Sequence, residues 1–223
     1  MFFMSLISGA LFSADTDDFV ITVKTDNTGT SSDTQFTIPC TGSGYNYNVD
    51  IDNDGTDDAT GLTGSYTCNY ASAGTYTIRI KDNSGAGTGF PRIYFCGGGD
   101  KDKLLTIEQW GTGQWTSMAN AFQGCSNLAG QASDAPDLSK VTDMSFMFNN
   151  ASAFNQDIGS WNTAAVTNMM HMLSVAITFN QDIGNWNTAA VTDMRFMFFF
   201  CILFQSGYRR LEHSGGHRYE LHV

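Results

Sequence analysis

Short runs of alternating apolar and polar residues fill the first part of the chain. They lie at residues 19–25, 35–38, 45–51, 65–70, 75–81 and 90–95, and clusters of Gly, Asn, Asp and Ser separate them. Alternation with a period of two predicts half-buried strands, and turn residues at short intervals are typical of a β-sandwich. We therefore expect a β-sandwich over residues 18–97.

The second half of the chain repeats every 25 residues. FNQDIGSWNTAAVTNM at residues 154–169 recurs as FNQDIGNWNTAAVTDM at residues 179–194, with 14 of 16 positions identical. A unit this short cannot bury its own apolar face, so stacked copies are expected to share one core. In each unit we expect a short helical turn, capped by Thr142, Thr167 or Thr192, and a strand at FNQDI that pairs in parallel with its copy. The repeat thus predicts a solenoid over residues 98–204.

Residues fixed to this period are expected to build the interior of the repeats. Trp161 and Trp186 are also candidates for a ligand-stacking stripe, but their fixed spacing favours a place in the core. Asn155 and Asn180 are expected to stack as an internal ladder. The structural repeat residues are Met144, Phe148, Phe154, Asn155, Trp161, Val166, Met169, Phe179, Asn180, Trp186, Val191 and Met194.

Two segments of the β region resemble a PKD-type immunoglobulin-like domain. They are VDIDNDG at residues 49–55 and NYASAGTYTIRI at residues 69–80, an acidic turn followed by a final strand that opens with GTYT. The resemblance implies a spacer or a binding module rather than a catalyst.

The repeats resemble the BspA-like family of leucine-rich-repeat bacterial surface proteins. The matching residues are Met147, Phe148, Ala151, Phe154, Asn155, Asp157, Ile158, Trp161, Val166, Thr167 and Met169. This resemblance implies an exported protein whose repeats serve attachment or protein binding. The expected fold class is α+β and mostly β, with a PKD-like β-sandwich followed by a leucine-rich-repeat solenoid of 25-residue units.

Composition supports an extracellular protein and argues against a nucleic-acid partner. The formal net charge is -11, which repels phosphate backbones, and only 15% of residues are charged. The five cysteines form no CxxC pair. Export would permit a disulfide between Cys40 and Cys68, and buried free thiols are the alternative.

The first residues predict a partial signal peptide at residues 1–17. An apolar run there ends in small residues, but no Lys or Arg precedes it. The alternative is an apolar first strand. Because no other segment has the apolar length of a membrane span, we expect none in the mature chain, which would be secreted or held at the cell surface.

Asp50, Asp52 and Asp54 recur at every second residue before Gly55. Carboxylates in this pattern are candidate calcium ligands, although Gly61 stands where an EF-hand supplies its bidentate Glu. The alternative is a solvated acidic hairpin turn. No cofactor is otherwise expected.

No Ser, His and Asp set, pair of catalytic carboxylates or phosphate-binding loop recurs, so we predict that the protein is not an enzyme. Binding of an unknown protein or glycan is expected at the variable positions of the repeats. Calcium-assisted carbohydrate binding and a nonfunctional fragment of a longer adhesin are the alternatives. The candidate binding residues are Ser145, Phe146, Asn149, Asn150, Met170, His171, Ser174 and Arg195.

The tail at residues 205–223 departs from the repeat, and it holds three of the four His residues. A coding string compatible with this tail, regrouped by one base, translates as NQDIGGWNTAAVTDMNYM, which is the next repeat. We therefore predict a one-base slip in codons 198–200 and a disordered tail. Mutation, sequencing error and gene-calling error remain open as causes, and a genuine basic tail is the alternative.

Overall fold

The computed structural model describes residues 16–201. Most of the predicted signal peptide, residues 1–15, and the whole predicted frameshifted tail, residues 205–223, lie outside the described residues. In the described part of the chain, no helix has the length and apolar character needed to cross a membrane.

Most of the regular secondary structure is β. A 3-10 helix at Lys101–Lys103 is the one helical element among residues 16–201. The strands are β1 at Phe19–Lys24, β2 at Gln35–Ile38, β3 at Tyr47–Asp50, β4 at Ala59–Leu62, β5 at Tyr66–Asn69, β6 at Thr75–Asp82, β7 at Leu104–Gln109 and β8 at Ala129–Gly130.

These strands form a β-sandwich-like fold. One sheet has six strands in the order β4-β3-β6-β1-β7-β8, and β2 pairs with β5 in a second sheet. Strand β1 is central and lies antiparallel to both β6 and β7. Its apolar residues Ile21 and Val23 are buried, as are Phe36 and Ile38 of β2. Period-two alternation therefore places one face of each sheet in the core.

The predicted leucine-rich-repeat solenoid is wrong. The strands lie in the two sheets just described, which do not form a solenoid. The FNQDI segments at residues 154–158 and 179–183 contain no strand, and the segments after Thr142, Thr167 and Thr192 form turns rather than helices. In each repeat, left-handed residues at two positions four apart interrupt the predicted helical turn. In the FNQDI segments, the Asn180 amide donates to the side chain of Asn155 and not to a backbone carbonyl, so the expected parallel ladder is not formed there.

Neighbouring repeats are instead joined turn to turn. The Phe146 amide donates to the Met170 carbonyl at 2.9 Å, and the His171 amide donates to the Arg195 carbonyl at 3.0 Å. Isolated parallel bridges join Asp143 to Asn168 and Asn168 to Asp193. Each repeat therefore offers the next one a row of amide donors.

The sheet and the repeats share a continuous apolar core. Trp110, which follows β7, packs edge-on against Trp161 with ring centroids 5.3 Å apart. Trp161 and Trp186 are 3% and 5% exposed, so both lie in this core. Strands β7 and β8 come after residue 97, and they complete the six-stranded sheet that the preceding residues begin.

The remaining structural repeat residues divide by exposure. Asn155 and Asn180 are exposed, so they do not form an internal ladder, although the Asn180 amide donates to Asn155 Oδ1 at 2.8 Å. The buried ones are Met144, Phe148, Phe154, Val166, Met169, Phe179, Val191 and Met194.

Candidate binding surface

The predicted binding residues do not share one environment. Ser145, Asn149 and Ser174 are buried between repeats, where the Asn149 side-chain amide donates to the Ser174 carbonyl at 3.2 Å. These three therefore contribute to repeat packing. The other predicted positions are more accessible: Phe146, Met170 and His171 are half-buried, and Asn150 and Arg195 are exposed.

A row of stacked rings crosses the outer face of the repeats. The His171 imidazole lies between the phenyl rings of Phe146 and Phe196, with centroid distances of 4.8 Å and 4.9 Å. The interplanar angles are 16° and 19°. We call these three residues the ring ladder. Phe196 was absent from the predicted set, although its offset of 25 residues from His171 identifies the same position in the repeat.

Backbone conformation aims these rings outwards. Phe146, His171 and Phe196 have φ values of 57°, 55° and 58°, all in the left-handed region. The residue that follows each ring, such as Met147 or Met172, is buried, so the left-handed position is where the side chains change from the outer face to the core. The same strained position in three repeats fixes the ring ladder on one face.

Burial and two charged side chains, Asp193 and Arg195, affect the protonation of His171. The pKa of His171 lies below its ordinary value of 6.5, mainly because burial disfavours the charged form. Arg195 lowers this pKa further, and Asp193 opposes the shift. Arg195 is itself paired with Asp193 at 2.7 Å. His171 is therefore neutral at physiological pH and contributes an apolar face to the ladder.

The last described repeat carries an apolar patch. Phe196 and Phe200 are 58% and 60% exposed, and Phe199 is also exposed. Phe199 packs edge-on against both of the other rings. Exposed aromatic groups in contact with one another are typical of interaction surfaces.

A second candidate site lies at the far edge of the six-stranded sheet. Carboxylate oxygens of Asp50, Asp52 and Asp58 lie within 4.8 Å of one another, and we call these residues the acidic cluster. Asp54, which the sequence pattern predicted as a ligand, is not among them; it accepts a bond from the Thr56 amide at 2.8 Å. The sequence spacing made Asp58 only an approximate substitute for the missing Glu, and it joins the cluster through the antiparallel pairing of β3 with β4.

Hydrogen bonds already hold two members of the acidic cluster. Buried Asp50 accepts bonds from the amides of Asp54 and Gly55 at 3.2 Å and 3.0 Å. Asp58 accepts a bond from the Ile51 amide at 2.8 Å. The pKa of Asp52 is raised by burial and then by the nearby Asp54 carboxylate. The oxygen donor set suits a hard cation such as calcium.

All five cysteines are free thiols, so the disulfide considered for Cys40 and Cys68 is not formed. Burial raises the pKa of Cys40 to about 11 and that of Cys68 to about 12. Both therefore remain protonated thiols at physiological pH and are weak nucleophiles.

A family model described as "Mycoplasma protein of unknown function, DUF285" matches residues 102–215, which is more than half of the chain. The chain belongs to this family. The DUF285 match begins within the 3-10 helix before β7 and includes every ring of the ladder. No curated protein and no solved structure matches the chain.

Proposed function

We propose that this DUF285 protein is exported and acts at the bacterial cell surface as a protein-binding or adhesion module. The ring ladder of Phe146, His171 and Phe196 is its contact surface. The observation that carries the proposal is the outward, evenly spaced stacking of these rings. The apolar N-terminal run and the resemblance to surface proteins support export.

Aromatic rings suit this role because they bury a large area with few rotatable bonds. In the ring ladder each ring is already held by its neighbours, so binding orders fewer side chains. The position beside the ladder varies between repeats, with Met170 and Arg195 at equivalent, accessible places. A fixed aromatic row flanked by variable residues allows different proteins of this architecture to select different partners.

The chemistry of the surface favours a protein or glycan over a nucleic acid. The ladder presents apolar rings, and the whole chain has a formal charge of -11. A phosphate backbone would meet unfavourable long-range repulsion. The proposed role is binding, not catalysis.

Beads coated with the full chain test this proposal on immobilised extracellular proteins and glycans. We expect saturable attachment to at least one of them, and a loss of most attachment in the triple variant Phe146→Asn, His171→Asn and Phe196→Asn. Asn tolerates the left-handed backbone at all three positions. The exposed Ile177→Asn variant is the control. Equal attachment by the triple variant and the control would overturn the proposal.

Calcium-assisted carbohydrate binding is the second candidate function. The observation that favours it is the convergence of three carboxylates in the acidic cluster. Calorimetric titration of the full chain with calcium tests it. Absence of both heat and a shift in melting temperature would remove it.

A further inference from the structure

The outer face of the six-stranded sheet carries a polar groove with a volume of about 380 Å³. It lies across β1, β6 and β7, and each of these strands contributes a half-buried polar side chain to its lining, namely Thr22, Thr77 and Glu108. Small-molecule sites in proteins occupy about 300–1,000 Å³, so this groove is large enough for such a ligand. We call it the polar groove.

Strand pairing builds the centre of the polar groove. Thr22 of β1 lies directly opposite Thr77 of β6, and their hydroxyl oxygens are 3.4 Å apart. On the other side of β1, a register shift between Val20 and Ile21 leaves Glu108 of β7 without a partner in the ladder. Irregularities of this kind change the direction of a side chain and are frequent next to binding sites.

The Glu108 carboxylate is held through one of its two oxygens. The Thr22 hydroxyl donates to Glu108 Oε1 at 2.9 Å, and the Thr106 hydroxyl donates to the same atom. No group among residues 16–201 donates to Oε2. The carboxylate is therefore oriented in advance and offers a charged acceptor to a ligand, which reduces the entropy lost on binding.

Asn53 and Arg79 line another part of the polar groove. The Arg79 guanidinium is paired with Asp18 at 3.2 Å, and it also donates to Asn53 Oδ1. The charge of Arg79 is thus compensated within the protein. Because the side-chain oxygen of Asn53 is used in this way, its NH₂ group is the part that can donate to a ligand.

The chemistry of these groups selects a neutral sugar. Each sugar hydroxyl both donates and accepts hydrogen bonds, as does the Thr77 hydroxyl, and Glu108 and Asn53 add an acceptor and a donor. An uncompensated carboxylate in a chain of formal charge -11 disfavours an anion, and a single carboxylate is a poor site for calcium. Val20, the apolar residue of the lining, is only 4% exposed, so an apolar ligand would find little contact area.

We infer that the polar groove binds a neutral sugar unit of a glycan, with Glu108 Oε2 accepting from a sugar hydroxyl and with Asn53 and Thr77 completing the hydrogen bonds. This site goes beyond the proposed function, because it lies on the sheet and not on the ring ladder. It also differs from the calcium-assisted candidate, since it needs no ion. No aromatic ring of the described residues lines the groove, so we expect a dissociation constant in the millimolar range.

Titration of the isotope-labelled full chain, followed by nuclear magnetic resonance, tests the inference. The probes are glucose, galactose, mannose and N-acetylglucosamine, each added in the presence of a calcium chelator. We expect at least one of them to cause saturable shifts of the backbone amide signals of Thr22, Thr77 and Glu108. The shifts should be the same when calcium replaces the chelator.

Variants assign the hydrogen bonds. Glu108→Gln can keep the acceptor for the two threonines but places an N–H donor where Oε2 accepted, so the affinity should fall about tenfold. Thr77→Val keeps the shape of the side chain without its hydroxyl and should weaken binding about three- to tenfold. Thr75→Val is the matched control, because Thr75 lies on the same strand and is absent from the lining of the groove. Its affinity should equal that of the parent protein.

Four results would overturn the inference. They are the absence of saturable shifts at sugar concentrations up to about 100 mM, far above a millimolar dissociation constant, equal affinities of Glu108→Gln and Thr75→Val, a requirement for calcium, and larger shifts with a capped lysine than with any sugar. The third would assign sugar binding to the acidic cluster, and the fourth would identify a site for cationic peptides. Bead attachment that depends on the ring ladder is measured separately, so the proposed function can stand when this inference fails.

Discussion

The imidazole of His171 lies flat against the phenyl ring of Phe196, with 4.9 Å between the ring centroids. These residues occupy the same place in successive repeats, so the contact joins two copies of one structural position. Phe146 repeats the arrangement on the other side of His171. The middle ring is the single titratable member of the ladder, and this makes its protonation measurable.

Protonation of His171 should destabilise the folded protein. Burial holds the pKa of the folded imidazole below the ordinary value of 6.5, so the unfolded chain takes up the proton first as the pH falls. The stability that the neutral imidazole contributes is complete above the pKa of the unfolded chain, and it is lost as the pH decreases towards the pKa of the folded protein. His171→Phe gives this position the same side chain as Phe146 and Phe196 and removes the titratable group. Between pH 8 and pH 5, the urea denaturation midpoint of this variant should fall less than that of the parent protein. Parallel pH profiles for the two proteins would contradict this account.

Val175 occupies a left-handed position that suits Asn or Gly better. Its φ is 61°, whereas the equivalent positions in the two preceding repeats carry Asn150 and Gly124. A β-branched residue in this region is strained by roughly 1–2 kcal/mol. Val175→Asn should therefore raise the free energy of unfolding in urea by about 1 kcal/mol. The converse variant Asn150→Val should lower it, and shifts of the same sign in both variants would refute the explanation.

Gly159 marks a close approach between repeats. A Cβ atom there would lie 2.3 Å from the backbone carbonyl oxygen of Asp182. Gly159→Ala should lower the free energy of unfolding by about 1–3 kcal/mol, because a backbone carbonyl cannot move aside cheaply. Gly64 has open space around its added Cβ and supplies the control. Thermal denaturation of both variants gives the comparison, and equal melting temperatures would show that the repeats are not packed this closely.

Lys103, the last residue of the 3-10 helix, makes hydrogen bonds to the loop before β2 and to the first residue of that strand. Its buried ammonium group donates to the carbonyls of Ser31, Ser32 and Gln35 at 3.1, 2.8 and 3.0 Å. Lys103→Met keeps most of the side-chain length but removes a buried donor from all three carbonyls, of which Ser32 and Gln35 keep bonds from the Gln35 amide and the Ser31 hydroxyl. Unfolding should therefore become easier by about 1–3 kcal/mol. Lys24→Met removes an exposed lysine and should have little effect. Urea denaturation monitored by tryptophan fluorescence measures both, and a neutral Lys103→Met variant would contradict the assigned role.

The calcium affinity of Asp variants distinguishes the acidic cluster from the ligand set that the sequence spacing predicted. If the acidic cluster binds the ion, Asp58→Asn should weaken calcium binding at least as much as Asp52→Asn, because both remove a charged ligand. Asp54→Asn should have a smaller effect, since Asp54 lies outside the cluster. Isothermal titration with calcium compares the three variants. A loss confined to Asp54→Asn would restore the ligand set expected from sequence spacing.

Local patterns predicted the strands of the sheet better than the form of the repeats. The alternation at residues 35–38 coincides with β2, and the run at 75–81 falls within β6. Residues 90–95 alternate in the same way but form no strand, while β7 arises beyond the expected boundary at residue 97. Whether a run becomes a strand depends on finding a partner, and β7 finds one in β1.

The repeat period predicted which residues are equivalent but not their backbone conformation. Phe146, His171 and Phe196 share a left-handed φ, although Phe is not a residue type that signals it. That conformation prevents the predicted helical turns, and the rings at these positions lie on the outer face. Asp58 illustrates the same limit at the acidic cluster, because its position depends on strand pairing rather than on neighbours in sequence.

The step of 4.8 to 4.9 Å between successive rings has an evolutionary consequence. A duplication or deletion of one whole unit would move the outermost aromatic group by that distance and leave the sheet beneath it untouched. Recombination between near-identical gene segments would thus change the distance between the outermost ring and the six-stranded sheet in fixed increments. Selection would act on the sheet separately.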